Sequence, residues 1–243
     1  MADDYRKQLY DRYVTSHVKN QIPLTLDAFR SREPYLNQVI TRHFPPDRDA
    51  SIMDLGCGHG ALVHFAHRAG YRHAIGVDTS FEQVVEAERL GINGVVQGDV
   101  RETLRTLADD SQDAIIAFDL IEHLTKQELL TLAEEVWRTL KPGGRWIIHT
   151  PNAGSPFFGT IRYGDYTHEQ AFTTSSINQV LIASRFSRVT CFEDVPIPHG
   201  LKSTIRSLAW RVIRLGLRFY VAAETGNANG HIFSQNFLVV AIK

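Results

Sequence analysis

Asp54-Leu55-Gly56-Cys57-Gly58-His59-Gly60 is the stretch from which the rest of the chain can be ordered. It follows Ser51-Ile52-Met53, which reads as the end of a buried strand, and precedes Ala61-Leu62-Val63-His64-Phe65-Ala66, which reads as the opening of a helix. Three glycines at alternate positions let the backbone turn sharply and approach a ligand where any Cβ would clash. The carboxylate at the strand end can hold a ligand ammonium group. The spacing is shorter than the GxGxxG of nicotinamide-binding loops. Cys57 reads as a small filler within the loop.

Ala74-Ile75-Gly76-Val77-Asp78 is a second short apolar run ending in a carboxylate. It lies about 20 residues beyond the glycines, where a βαβ nucleotide-binding unit places the acid that holds ribose hydroxyls. Gly94-Val95-Val96-Gln97-Gly98-Asp99-Val100 and Lys141-Pro142-Gly143-Gly144-Arg145 follow in order. Together the four elements resemble the class I methyltransferases that depend on S-adenosylmethionine (SAM). The resemblance covers about residues 49–190 well and the remainder loosely. It implies that Asp54, Gly56, Cys57, Gly58 and Gly60 hold the methionine end of SAM. Asp78 and Thr79 would take the ribose, Asp99 and Val100 the adenine, and Phe118 and Asp119 would close the pocket.

The resemblance also implies a Rossmann-like fold: a mostly parallel seven-stranded sheet with helices on both faces. The pattern agrees. From Asp49 to Asn152 strands near 51–55, 73–77, 93–97, 113–118 and 145–150 alternate with helices near 60–69, 81–90, 101–107 and 126–140. Such alternation means a parallel sheet, with ligands bound at the carboxyl ends of the strands. A further helix is expected over Phe172–Ser184, capped by Thr173 or Thr174. Val189–Phe192 and Ile232–Ile242 are expected as an antiparallel hairpin at the sheet edge. Residues 1–45 read as a helical cap in which Tyr5, Arg12 and Tyr13 line a lid or only pack. Residues 46–243 are expected to form the SAM-binding methyltransferase domain, with substrate-side insertions at about 151–171, after strand five, and at about 193–230, between the last two strands.

Bulk properties narrow the function. At 243 residues the chain can bury one good core. Lys plus Arg total 26 and Asp plus Glu total 27, so net charge points to no specific nucleic-acid partner. Two cysteines, Cys57 and Cys191, make neither a disulfide framework nor a cysteine zinc site and suit a reducing compartment. The polar start Met1-Ala2-Asp3-Asp4-Tyr5 lacks the pattern of a secretory leader. The expectation is a cytoplasmic chain, free or peripheral at the inner face of the membrane.

Three clusters carry the remaining chemistry. Phe118-Asp119-Leu120-Ile121-Glu122-His123 lies at the end of strand four. His123 has the intrinsic pKa of a general base near neutrality. Asp119, Glu122 and His123 also resemble the acid-x-x-Glu-His element of ubiquinone-pathway O-methyltransferases and small-RNA 2′-O-methyltransferases. That resemblance implies Mg²⁺ or Mn²⁺, with His149 or His168 as a later ligand. Arg162-Tyr163-Gly164-Asp165-Tyr166-Thr167-His168-Glu169 is the second cluster. There Asp165 and Glu169 suit polyol hydroxyls, Tyr163 and Tyr166 suit a sugar face, and His168 is the rival base. A self-satisfied loop is the alternative.

The third cluster is 201–222, a basic amphipathic helix with Lys202, Arg206, Arg211, Arg214 and Arg218 among apolar residues. It suits an anionic membrane with Trp210 at the interface, a homodimer contact, or an arm on its own domain. The loop and the basic helix resemble the methyltransferases of bacterial surface-glycan pathways. That resemblance implies O-methylation of a sugar hydroxyl on a small-molecule or glycan acceptor, nucleotide- or lipid-linked. The alternatives are methylation of a phenolic or quinone-precursor ring at the membrane, and a non-catalytic SAM-binding subunit.

Overall fold

A computed structural model describes Leu9 and residues 25–243. Tyr5, Arg12 and Tyr13 lie outside the described residues. The chain runs from a 3-10 turn (Leu26–Ser31) into α1 (Glu33–His43), β1 (Ile52–Leu55), α2 (Ala61–Arg68), β2 (Ala74–Asp78), α3 (Phe81–Arg89), β3 (Val95–Gln97) and α4 (Val100–Thr106). Then come β4 (Gln112–Phe118), a 3-10 turn (Ile121–His123), α5 (Lys126–Thr139), β5 (Leu140–Pro151) and α6 (Phe158–Arg162). α7 (Thr174–Ala183), β6 (Arg188–Glu193), α8 (Leu201–Thr225) and β7 (Asn236–Ile242) complete it.

The seven strands form one sheet in the order β3-β2-β1-β4-β5-β7-β6. β1 to β5 are parallel to one another, while β7 runs antiparallel to both β5 and β6. The sheet is therefore mixed. Strand order reverses between β1 and β4, so their carboxyl ends open the crevice in which such sheets bind ligands.

Strand alternation builds two cores. Ile115 and Ala117 of β4 and Trp146 and Ile148 of β5 face one side, with Leu104 of α4, Leu132 and Val136 of α5, and Ile177 and Leu181 of α7. Ala114, Ile116 and Ile147 face the other, against Leu36 and Ile40 of α1 and Leu62, Phe65 and Ala66 of α2. Among the described residues, the expected cap is thus represented by a turn and a helix that share the α2 core. α5 shows how the sequence sets these helices. Thr125 and Glu128 form a capping box, and Leu129, Leu132, Ala133 and Val136 fall on one face.

Boundaries differ modestly from the pattern. β5 starts at Leu140 rather than 145, because Gln112 pairs with Leu140 before the register jumps to Ala114–Arg145 across the Pro-Gly-Gly bulge. α7 begins at Thr174, since Thr173 and Ser176 make a capping box. β7 begins at Asn236 rather than 232. The basic helix forms as a 25-residue element, but Trp210 is not on its free side: it is half-buried with its indole Nε1 enclosed. No helix among the described residues is long and apolar enough to cross a membrane.

Candidate SAM site and acceptor site

The glycine loop leaves β1 at the switch point. Gly58 has φ +56° and Gly60 φ +78°, left-handed values that side chains disfavour. A Cβ at Gly60 would also lie 2.5 Å from Cγ2 of Val95. Asp78 holds the loop from the tip of β2: Oδ2 accepts from Gly58 N at 2.8 Å and Oδ1 from Ser80 N at 2.8 Å. Each oxygen keeps a second lone pair for a ribose hydroxyl. Phe29 of the first 3-10 turn stacks on His59 at 5.1 Å, so the N-terminal side of the chain lies against the loop.

Asp54 is 4% exposed, and its Oδ1 has no hydrogen-bond partner. Burial, helped by the Asp78 charge, pushes its carboxyl up to about 8. A buried acid left without a partner is costly. A cationic ligand group within reach would satisfy it, as the ammonium of SAM would. Asp99 serves first as the N-cap of α4, where Oδ1 accepts from Arg101 N at 2.9 Å and Glu102 N at 3.0 Å. Val100 is 8% exposed and belongs to the core with Val77 and Leu104. Cys57 is half-buried; burial drives its thiol well up, which suits a neutral filler. Thr79 is exposed beside Asp78.

Asp119 takes a different partner from the one expected. It has φ +51°, and its Oδ1 lies 2.6 Å from Nδ1 of His149. Nε2 of the same ring lies 2.7 Å from Oδ2 of Asp194, whose Oδ1 accepts from the Tyr35 hydroxyl at 2.8 Å. Two ionised carboxylates can only accept, so a ring held between them donates from both nitrogens. Burial opposes the charge on His149, but Asp119 and Asp194 outweigh it and raise the ring to about 10. Desolvation likewise opposes the charge on Asp119, yet the His149 charge and hydrogen bond hold that carboxyl below its usual range. Phe118 packs beside the pair, 5.1 Å from His149 between ring centres. Neither Tyr35 nor Asp194 stood out in the sequence.

The metal-type donors gather without Asp119 or His149. Glu122, His123 and His168 bring one ligand atom each to within 4.8 Å of one another. The two imidazoles meet edge to face at 4.8 Å, and Nδ1 of His168 is buried without a partner. Glu122 is 1% exposed; burial and then the Asp119 charge push its carboxyl up to about 8. Burial and the neighbouring His168 lower His123 to about 4. Two imidazoles and one carboxyl group, with one ring nitrogen left unpartnered, fit a divalent cation.

A short relay sets the tautomer of His123. The Thr167 hydroxyl donates to Asp165 Oδ1 at 2.6 Å and so accepts from His123 Nδ1, 2.8 Å away. That leaves Nε2 as the unprotonated nitrogen. Asp165, expected to meet a polyol, is instead buried, and its Oδ1 also accepts from Thr167 N at 2.9 Å. The self-satisfied reading holds for that one residue. Tyr163 and Tyr166 stand 78% and 84% exposed on either side of it. Glu169 donates its backbone N–H to the Glu122 carbonyl at 2.8 Å, tying the loop to the end of β4.

Residues 52–144 match the sequence model of a family described as a methyltransferase domain. Protein arginine N-methyltransferase 1 of Chlamydomonas reinhardtii is 27% identical over 216 residues, covering 82% of this chain and 58% of that protein. Phosphoethanolamine N-methyltransferase 1 of Zea mays is 27% identical over 144 residues, covering 57% of this chain and 28% of that protein. The chain therefore spans well under two thirds of these curated relatives. A SAM-dependent methyltransferase from Archaeoglobus fulgidus superposes with TM-score 0.65 at 24% identity, over 89% of this chain and 97% of that one. That likeness is one of fold. The domain match marks residues 52–144 as a methyltransferase domain, and the fold, with acids at the tips of β1 and β2, is that of SAM-dependent methyltransferases. Its cofactor is SAM.

Proposed function

We propose that this chain methylates a hydroxyl oxygen on a sugar- or glycan-type acceptor, nucleotide- or lipid-linked. The observation that carries this reading is His123, kept neutral by burial with Nδ1 held by Thr167, which makes Nε2 the proton-accepting nitrogen. A hydroxyl must lose its proton as it is methylated, and a positioned base supplies about 10²–10⁴-fold. Bound SAM supplies an activated methyl group on its sulfonium. Asp54 neutralises the ammonium end, Asp78 holds the ribose, and Asp99 offers its remaining oxygen to the adenine edge. His123 Nε2 takes the hydroxyl proton as the acceptor oxygen becomes the ether. A divalent cation held by Glu122, His123 and His168 would take up the Nε2 lone pair of His123, so with metal bound the cation, in place of the His123 base, would promote loss of the hydroxyl proton. The exposed rings of Tyr163 and Tyr166 offer faces for a sugar.

N-methylation is the second reading, favoured by the curated relatives, which are named as arginine and phosphoethanolamine N-methyltransferases. A neutral amine needs no base to attack. The test is S-adenosylhomocysteine release with sugar nucleotides and with amines, wild type against His123→Ala, with the methylated atom located by NMR. The O-methyl reading expects turnover of a hydroxyl acceptor and at least a hundredfold loss in the variant. Turnover of an amine, insensitive to His123→Ala, sinks it.

A further inference from the structure

α8 turns its apolar face away from the domain. Ser203 and Ser207 are buried, and Trp210, Arg214 and Leu217 half-buried, on the side that meets the domain. Arg214 anchors that side by an ion pair to Glu193, the last residue of β6. At 3.6 residues per turn the opposite face carries Leu201, Ile205, Leu208, Val212, Leu215 and Phe219. These six are 54–79% exposed. The stripe runs most of a helix about 37 Å long, at about 1.5 Å per residue. Isolated exposed apolar side chains are ordinary; a continuous row is not.

We propose that this face is a peripheral membrane-binding surface for a bilayer rich in anionic phospholipid. Charge selects the occupant. Lys202 and Arg206 flank the stripe on one side and Arg211 and Arg218 on the other, and the helix holds no acid before Glu224. An apolar row rimmed by cations is what lies flat at a headgroup boundary, tails under the row and phosphates at the rim. The row has the three-four spacing of a helix-pairing seam, so a second copy of α8 is the rival occupant. Pairing would set cations against cations along both edges with no acid to answer them. For RNA the cations would need to centre the face, not border it.

Position adds to this. Glu193 pairs with Phe237 and Pro151 lies opposite Asn236, so the end of β6 shares the sheet edge with the ends of β4 and β5. α8 leaves from that edge. Bound flat, it would hold the acceptor side of the domain near the bilayer, whichever acceptor is methylated.

The test is sedimentation of the full chain with vesicles of phosphatidylcholine alone and of equal parts phosphatidylcholine and phosphatidylglycerol. Binding is expected to the anionic vesicles only, weakened by salt. Arg211→Gln with Arg218→Gln should weaken it about 25-fold, at about fivefold per basic residue. Val212→Asp with Phe219→Asp should abolish it; Arg211, Val212 and Phe219 are exposed and Arg218 half-buried, and circular dichroism should show unchanged folding. Equal binding to both vesicles, no binding to either, or binding indifferent to the aspartates overturns the proposal. So does a dimer in light scattering that the aspartates disperse while vesicles leave the wild type in solution, which would assign the face to a second copy.

Discussion

His149→Gln should remove one proton from the pH dependence of folding. Both ring nitrogens of His149 lie within 2.7 Å of a carboxylate oxygen; the ring is 9% exposed and Asp194 21%, while Asp119 is 50% exposed, so solvent screens the Asp194 side little and the Asp119 side in part. The ring is raised from 6.5 to about 10. Its stabilisation is therefore complete below pH 6.5 and lost as pH climbs through about 10. At about 1.4 kcal/mol per pH unit, the whole rise sets a ceiling of roughly 5 kcal/mol. Between pH 7 and 9 the folded chain keeps a proton that the unfolded chain has released, so stability should fall by about 1.4 kcal/mol per pH unit from this group. Asp54 and Glu122, both raised to about 8, add to the slope near neutrality, and the cysteines add above pH 9. The comparison with His149→Gln subtracts them. Urea unfolding at half-unit steps from pH 7 to 9 should show the variant less stable throughout, because Asp119 and Asp194 lose a buried cation at about 3–5 kcal/mol. Its slope should be shallower by one proton. Parallel slopes would mean that the ring is neutral in the fold and one carboxyl holds the proton instead.

Asp78→Ala should lower SAM affinity at least a hundredfold in calorimetry, because the ribose acceptor and the Gly58 anchor go together; unchanged affinity removes the assignment. Gly60→Ala should destabilise by at least about 2 kcal/mol in urea, adding left-handed strain to the overlap with Val95, and a neutral result would show that the loop relaxes. Thr167→Val should free the His123 tautomer and lower kcat roughly tenfold or more with KM little changed. Thr167→Ser should restore the rate. Equal loss in both would make Thr167 a packing residue. Mn²⁺ added to metal-stripped protein should bind, and His168→Ala should weaken that binding by more than tenfold in calorimetry.

The part of this site that sequence reveals is the part made by neighbours along the chain. The glycine loop, the acids ending β1 and β2, the cap at Asp99 and the helix frames each depend on residues within a few positions, so spacing carries them. The acceptor side depends on contacts across the fold. Asp119 and His149 are 30 residues apart, and His149 and Asp194 are 45. Tyr35 reaches Asp194 over 159. The acid-x-x-Glu-His pattern suggested that Asp119 and Glu122 share a cation. The left-handed turn at Asp119 and the mate offered by β5 send that carboxylate elsewhere, and His168 enters from the following loop in its place. The signal for Asp194 lay in topology: an antiparallel β7 returns the end of β6 to the catalytic edge, and an acid there meets whatever β5 ends with. Composition likewise marked α8 as basic and apolar, but not which way it faced. Packing decides that, because two serines, one tryptophan and the Arg214–Glu193 pair take the inner side. The buried cation beneath the cofactor crevice and the apolar row outside it thus come from the same source, which is how the end of β6 is brought home.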